Sequence, residues 1–221
     1  SGETVPLTEV ERTAVSPTLS LAFYRKIVTA QAIQKAGREN ALYDTDRAVI
    51  GAIRKAIKGA FFTALATGTG EVASKDTFQK QLAGAWGAIH TYYEDIDSTP
   101  VHFVNPADVA DYLGTANITT QNAFGMTYVE DFLGLGTVIT NSRVPKGTVY
   151  ATAKDNIVLY YVPVNGGDLG EAFAFTSDET GLIGIHEEPD YTNMTASDTV
   201  INGMTLFAER LDGIIVVTMG G

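Results

Sequence analysis

The period of the apolar pattern changes along this 221-residue chain, and that change restricts the fold more than any other feature. Over residues 46–66, Val49, Ile50, Ile53, Ile57, Phe61, Ala64 and Leu65 recur at steps of three and four, the spacing of one helix face. Asp44 or Thr45 can cap the start of this helix, and Gly68 fits its stop. A second helical pattern covers residues 77–95, with Phe78, Leu82, Trp86, Ile89, Tyr93 and Ile96 on one side. Asp76 and Gln79 resemble a capping box at its start. Residues 101–104 read as a short strand. Asn105-Pro106-Ala107-Asp108 then opens a third helix, with a cap, a proline at the first turn and an acid facing the helix dipole. Gly114 ends it, and a short helical piece is expected near 124–133. From 137 onward the pattern is β, with runs at 137–144, 148–153, 157–164, 172–187 and 203–219. Pro145-Lys146-Gly147 and Lys154-Asp155-Asn156 punctuate these runs as turns. The fold class is α+β.

The first 36 residues are different. Val5, Leu7 and Val10, then Leu19, Leu21 and Phe23, form short apolar runs broken by Pro6 and Pro17 and flanked by charge. A ribbon this thin and polar builds no core of its own, so it must lie on another surface, in the same chain or in another copy.

Net charge is −11, made of +3 over residues 1–60 and −14 over the remainder. An acidic body excludes a nucleic-acid reader that uses its whole surface. Arg47, Arg54 and Lys58 nevertheless form a basic stripe along one side of the first helix, either a solvated face or a contact for phosphates or an acidic neighbour. No apolar run approaches the roughly 20 residues that span a bilayer, so no membrane partner is expected. Cysteine is absent, which removes disulfides and thiol chemistry.

Reactive constellations are scarce. Gly68 and Gly70 are not followed by the Gly-Lys-Ser/Thr of a phosphate-binding loop, and no Gly-x-Ser-x-Gly elbow occurs. His90, His102 and His186 lie far apart in sequence and have no ligand at metal-binding spacing. Glu94-Asp95-x-Asp97 lacks the rest of a calcium loop. Glu187-Glu188 could act as paired acids, but Pro189 and the polar residues after it suggest an exposed loop tip. No catalytic residue, metal site or cofactor is expected, and the chain reads as a protein whose surface is its function.

Several strings, in order, resemble the major capsid proteins of tailed bacteriophages and prophages of Gram-positive bacteria. Val5-Pro6-Leu7-Thr8-Glu9-Val10 and Tyr24-Arg25-Lys26-Ile27-Val28-Thr29 are similar to that family's extended E-loop and the exit from it. Asp44-Thr45-Asp46 and Leu65-Ala66-Thr67-Gly68-Thr69-Gly70 resemble the spine helix of its peripheral (P) domain and the glycine-rich end of that helix. Phe103-Val104-Asn105-Pro106-Ala107-Asp108-Val109-Ala110-Asp111-Tyr112-Leu113 is similar to the strand and helix of its axial (A) domain. The resemblance implies the fold named after phage Hong Kong 97, divided as an E-loop hairpin and exit segment (1–36), a P-domain spine helix (37–75), a mixed α/β A domain (76–170) and late strands returning through the P domain (171–221). It also implies a non-enzymatic subunit that self-assembles through hexamers and pentamers into an icosahedral head. Such a subunit would be made in the host cytoplasm and found in the virion, with a scaffold or portal protein and non-specifically packaged double-stranded DNA as further partners. Arg12, Arg25 and Lys26 would then make inter-subunit contacts from the E-loop, and Arg47, Arg54 and Lys58 would face the DNA. An encapsulin-type compartment shell is the alternative within the same fold, and a hydrolase with an acid/His site the alternative outside it.

Overall fold

The computed structural model describes residues 19, 21–94, 98–113, 121–123, 126–129, 134–164, 167–177 and 180–220. The chain enters with β1 (Ala22–Thr29) and α1 (Ala30–Ala36), whose N-cap is Thr29, its hydroxyl accepting from the Ala32 amide. Gly37, at φ +80°, separates α1 from the long helix α2 (Arg38–Leu65). The helix therefore starts well before the expected cap at Asp44 or Thr45. A non-glycine residue rarely holds this left-handed φ, so Gly37 fixes the break. The short strand β2 (Gly70–Glu71) follows, then α3 (Phe78–Tyr92). Thr77, rather than Asp76, caps α3: its hydroxyl accepts from the Lys80 amide, while Asp76 binds the Lys80 ammonium at 2.8 Å.

Next come β3 (Pro100–Val104) and α4 (Pro106–Leu113). Asn105 caps α4 as expected, accepting from the Ala107 amide at 2.9 Å, and its own amide donates to the Val144 carbonyl at 2.6 Å. The strands β4 (Gln121–Ala123) and β5 (Met126–Val129) pair with each other. The helical piece expected near 124–133 is thus strand over its described part, because β5 finds a ladder partner in β6 (Thr137–Thr140). Then follow β7 (Thr148–Ala153), a 3-10 turn at Lys154–Asn156, β8 (Ile157–Tyr161), α5 (Gly167–Phe173) and β9 (Thr176–Ser177). The chain continues through β10 (Ile183–Asp190), β11 (Thr195–Asn202), β12 (Met204–Ala208) and β13 (Ile214–Thr218).

These strands form a seven-stranded sheet ordered β2-β13-β7-β3-β6-β5-β4, a four-stranded sheet ordered β1-β11-β10-β9, and the ribbon β12-β8. The late strands of 171–221 divide between sheets: β9, β10 and β11 lie in the four-stranded sheet, whereas β13 crosses into the large sheet, between β7 and β2. The glycine-rich end of α2 is explained here. A Cβ on Gly68 would lie 2.6 Å from Ile214 Cγ2, and one on Gly70 would lie 2.6 Å from the Asp212 carbonyl oxygen. Only glycine lets the chain pass this close to β13.

Three apolar clusters hold the elements together. On one face of the large sheet, Phe78, Leu82, Ala85 and Ile89 of α3 pack on Val104, Val138, Val149 and Val217. On the other face, Phe62 and Leu65 of α2 pack on Val101, Phe103, Tyr150 and Ile214. Phe61, Phe62 and Phe103 meet edge to face with centroids 5.2–5.8 Å apart. The third cluster joins Ile53, Val49 and Ile57 of α2 to Ile183, Ile185, Val200 and Tyr24 of the four-stranded sheet. One helix therefore belongs to two cores.

Candidate assembly surface

In β1 the period-two alternation sorts the predicted contact residues onto opposite faces. Tyr24, Lys26 and Val28 point towards α2, whereas Phe23, Arg25 and Ile27 point outward. Phe23 and Ile27 are 66% and 58% exposed, large values for apolar side chains two turns of pleat apart on one strand. Arg25 lies between them, exposed, with one guanidinium nitrogen 3.5 Å from the Ser197 hydroxyl. Among the described residues β1 is the outer strand of its sheet, so this apolar–cation–apolar row borders that edge. The alternation of residues 22–29 was the signal that could have separated Phe23 and Ile27 from their neighbours.

Lys26 is corrected by the structure. It is buried, and its ammonium sits 2.5 Å from Asp198 Oδ2 on the adjacent strand, with both side chains 3% exposed. It braces β1 on β11 within the subunit and offers no cation to a neighbour. β1 as a whole pairs with β11 of its own chain from Ala22↔Asn202 to Thr29↔Thr195, so residues 22–29 of the leading segment find their home in cis. Arg12 and the first part of the ribbon lie outside the described residues.

Of the basic stripe, Arg47 and Arg54 are exposed and Lys58 is partly so. A further cation, not apparent from the sequence, joins the same helix: Arg143, in the loop after β6, donates to the Lys55 carbonyl at 3.2 Å. Its Nε passes 3.9 Å from where a Cβ of Gly59 would stand. Nothing in sequence spacing links residues 55 and 143.

The histidines do not converge on an acid. His90 is exposed and packs on Trp86 with ring centroids 4.3 Å apart. His102 is buried in β3, and burial pulls its pKa down to about 4, the nearby Thr137 backbone opposing this only weakly. His186 lies on the outward face of β10, with Nδ1 3.4 Å from the Ala174 carbonyl. Glu187, one residue on, belongs to the opposite face. Glu187 and Glu188 are strand residues, not a loop tip: β10 runs on through Pro189 and Asp190, and the turn comes at 191–194. There the Asn193 side-chain amide donates to Asp190 at 2.8 Å and the backbone amides of Thr192 and Asn193 donate as well, which together hold its carboxyl below the usual range. Asp95 lies outside the described residues. A shallow depression of about 610 Å³ is lined by Asp108, Asp111, Tyr112 and Lys146 among others. Its acids are engaged, Asp111 by Lys146 at 3.2 Å and Asp108 by the Gly147 amide at 2.8 Å. Among the described residues no group of three potential ligands could hold a metal ion, and no helix is long and apolar enough to cross a membrane.

No protein-family model matches the sequence, and no curated protein matches it. Solved structures do match in fold. The holo-SrpI encapsulin complex from Synechococcus elongatus PCC 7942 aligns over 90% of this chain and 73% of its own, with a TM-score of 0.63 and 12% identity. The capsid of the native GTA particle aligns over 92% and 73%, with a TM-score of 0.60 and 10% identity. The cyanophage A-1(L) capsid aligns over 89% and 75%, with a TM-score of 0.59 and 12% identity. The architecture is that of particle-forming capsid and encapsulin subunits. It is the Hong Kong 97 fold, in the α+β form that the sequence implied.

Proposed function

We propose that this chain is the repeating subunit of a bacteriophage-type head: a structural protein that assembles with copies of itself, through hexamers and pentamers, into a closed icosahedral shell around double-stranded DNA. The observation that carries this reading is the alignment of about nine-tenths of the chain with subunits of closed particles, two of them named as capsids. In this assignment α2 is the spine helix, the four-stranded sheet belongs to the P domain and the seven-stranded sheet to the A domain. The outward row of β1 forms the root of the E-loop that the sequence strings imply. Phe23, Arg25 and Ile27 supply a rim that a neighbouring subunit covers, and many such modest contacts repeated by symmetry close a stable shell. The subunit acts as a structural protein rather than an enzyme. It is made in the bacterial host and resides in the virion, and a portal or scaffold protein would be a further partner. The sequence strings point to a host among Gram-positive bacteria.

The basic side of α2, with Arg47, Arg54, Lys58 and Arg143, supports a contact with packaged DNA through phosphates, without sequence preference. The acidic remainder of the chain gives that side its contrast. The encapsulin-type shell is the second reading, supported by the encapsulin among the fold matches. Negative-stain electron microscopy of the purified protein tests the shared claim. Closed shells or capsomer rings are expected, and a monodisperse small particle at all concentrations would overturn both readings. Encapsulated DNA separates the phage head from a compartment that co-purifies with a protein cargo.

A further inference from the structure

We propose that α5 and β9 form a strap that lifts from the four-stranded sheet on its own, and that the strap screens an apolar row which a second copy of the chain covers once it has lifted. The second copy rests on the shell reading above; the lifting does not.

The row is fixed by strand register. Phe23 faces Ile201, Ile201 faces Gly184 and Gly184 faces Ser177, so these residues run side by side across β1, β11, β10 and β9 on the outward face. Phe23 is the exposed end of the row, whereas Ile201, one strand further in, is 1% exposed. Its cover comes from Val164 and from Phe175 of the strap. The missing side chain of Gly184 makes room for them: a Cβ there would stand 2.8 Å from Ile201 Cγ2, 3.1 Å from Val164 Cβ and 3.3 Å from Phe175 Cγ. Phe175 is thus a plug seated over a glycine notch.

The strap is held less firmly than the sheet beneath it. β9 contributes only the pairs Thr176–Ile185 and Ser177–Gly184 to the ladder, whereas β10 pairs with β11 from Ile183 to Asp190. Thr176 Oγ1 donates to the Ile185 carbonyl at 2.9 Å. Residues 168–173 of α5 are exposed or half-buried throughout, and Phe173 stands in solvent beside Phe175, with ring centroids 5.8 Å apart. Between these two aromatics Ala174 holds a φ of +48°, a left-handed value that its Cβ disfavours. Lifting lets this residue relax, which lowers the free energy of opening. A segment with a short ladder and few buried side chains is the kind that opens apart from the whole fold.

Once lifted, the strap takes Phe175 off Gly184 and Ile201. The apolar surface then reaches in one piece from Phe23 and Ile27 to the middle of the sheet. That continuity names the occupant: a neighbouring subunit seated on the outward row of β1 meets the newly bared part of the same row. In the free subunit the strap keeps that part from water and from early association.

Hydrogen exchange of the free, folded subunit, read by mass spectrometry, tests the lifting. Residues 168–177 are expected to exchange at least about 100-fold faster than β11. Phe175→Ala is expected to speed the strap by more than about tenfold with β11 unchanged. Ala174→Gly is expected to slow it by about fivefold, since glycine holds a left-handed φ without strain. Equal protection of strap and β11, or a strap that ignores both substitutions, would overturn the proposal. Light scattering then follows association of the three forms, expected to be fastest for Phe175→Ala and slowest for Ala174→Gly. Association rates that do not follow the strap would refute the screening. Exchange as expected in a protein that stays monomeric in every form would instead sink the shell reading, and the second copy with it, and leave the lifting in place.

Discussion

Ile53 and Phe62 lie nine residues apart on one helix and are buried in different cores, Ile53 against the four-stranded sheet and Phe62 against the seven-stranded one. Nine residues are about 2.5 turns, so the two side chains leave α2 on opposite sides. The basic stripe of Arg47, Arg54 and Lys58 runs along one side of the helix, about 100–140° around the axis from Ile53 and so between the two directions.

Truncating either residue therefore loosens a different sheet. Phe62→Ala is expected to cost about 3–5 kcal/mol and Ile53→Ala about 2–5 kcal/mol in urea denaturation. Native-state hydrogen exchange should separate them, with the first speeding exchange in β3 and β7 and the second in β10 and β11. Identical exchange patterns from the two variants would show that α2 does not serve two cores.

Gly68 and Gly51 make a matched pair. A Cβ on Gly68 collides with Ile214, so Gly68→Ala should lower stability by about 1–3 kcal/mol. Gly51, inside α2, has open space around its Cβ position, so Gly51→Ala should raise stability by about 0.5–1 kcal/mol. Thermal melts of the two variants should move in opposite directions.

His102 makes stability depend on pH in the acid range. Its folded-state pKa of about 4 lies below the ordinary value of 6.5, so the unfolded chain binds the proton more readily. Stability from this residue is complete above pH 6.5 and falls as pH drops towards 4, by about 3 kcal/mol in all. Replacing His102 with Leu should flatten this part of the pH profile of the urea midpoint. A profile unchanged by the substitution would place its cause elsewhere.

Arg25 and Lys26 are neighbours with opposite expectations. Arg25→Glu should leave the melting temperature nearly unchanged and reduce the yield of shells seen by microscopy. Lys26→Glu sets a second carboxylate against buried Asp198 and should cost about 3–5 kcal/mol or prevent folding. Intact assembly by Arg25→Glu would remove that residue from the contact surface.

Replacing Arg47, Arg54 and Arg143 together with Ala should leave shells that form but hold less nucleic acid, read as the ratio of absorbance at 260 and 280 nm in purified particles. An unchanged ratio would exclude the basic side of α2 from DNA contact.

What the sequence revealed tracks how local each signal is. The helix α3, the Asn-Pro cap of α4 and the strands β6 to β8 announce themselves through residues that are near neighbours. β11 escaped notice because Thr195-Ala-Ser-Asp-Thr-Val-Ile-Asn202 looks polar, and its strand character depends on β1 and β10 on either side. β5 was read as helix for the same reason, since its partner β6 lies beyond a loop. Lys26 was misread because a lysine in a charged run resembles a surface residue until its cross-strand partner is known. The stripe of Arg47, Arg54 and Lys58 was legible from helical spacing. The addition of Arg143 was not, because it rests on a contact between residues 88 positions apart.

The insertion of β13 between β2 and β7 sets an order of events during synthesis. Until the ribosome has passed Thr218, the seven-stranded sheet has a gap where Ile214, Ile215 and Val217 belong, and α3 and the end of α2 have no complete floor to rest on. A nascent chain therefore cannot complete this sheet, or the packing of α3 and α2 on it, until its closing strand has been made.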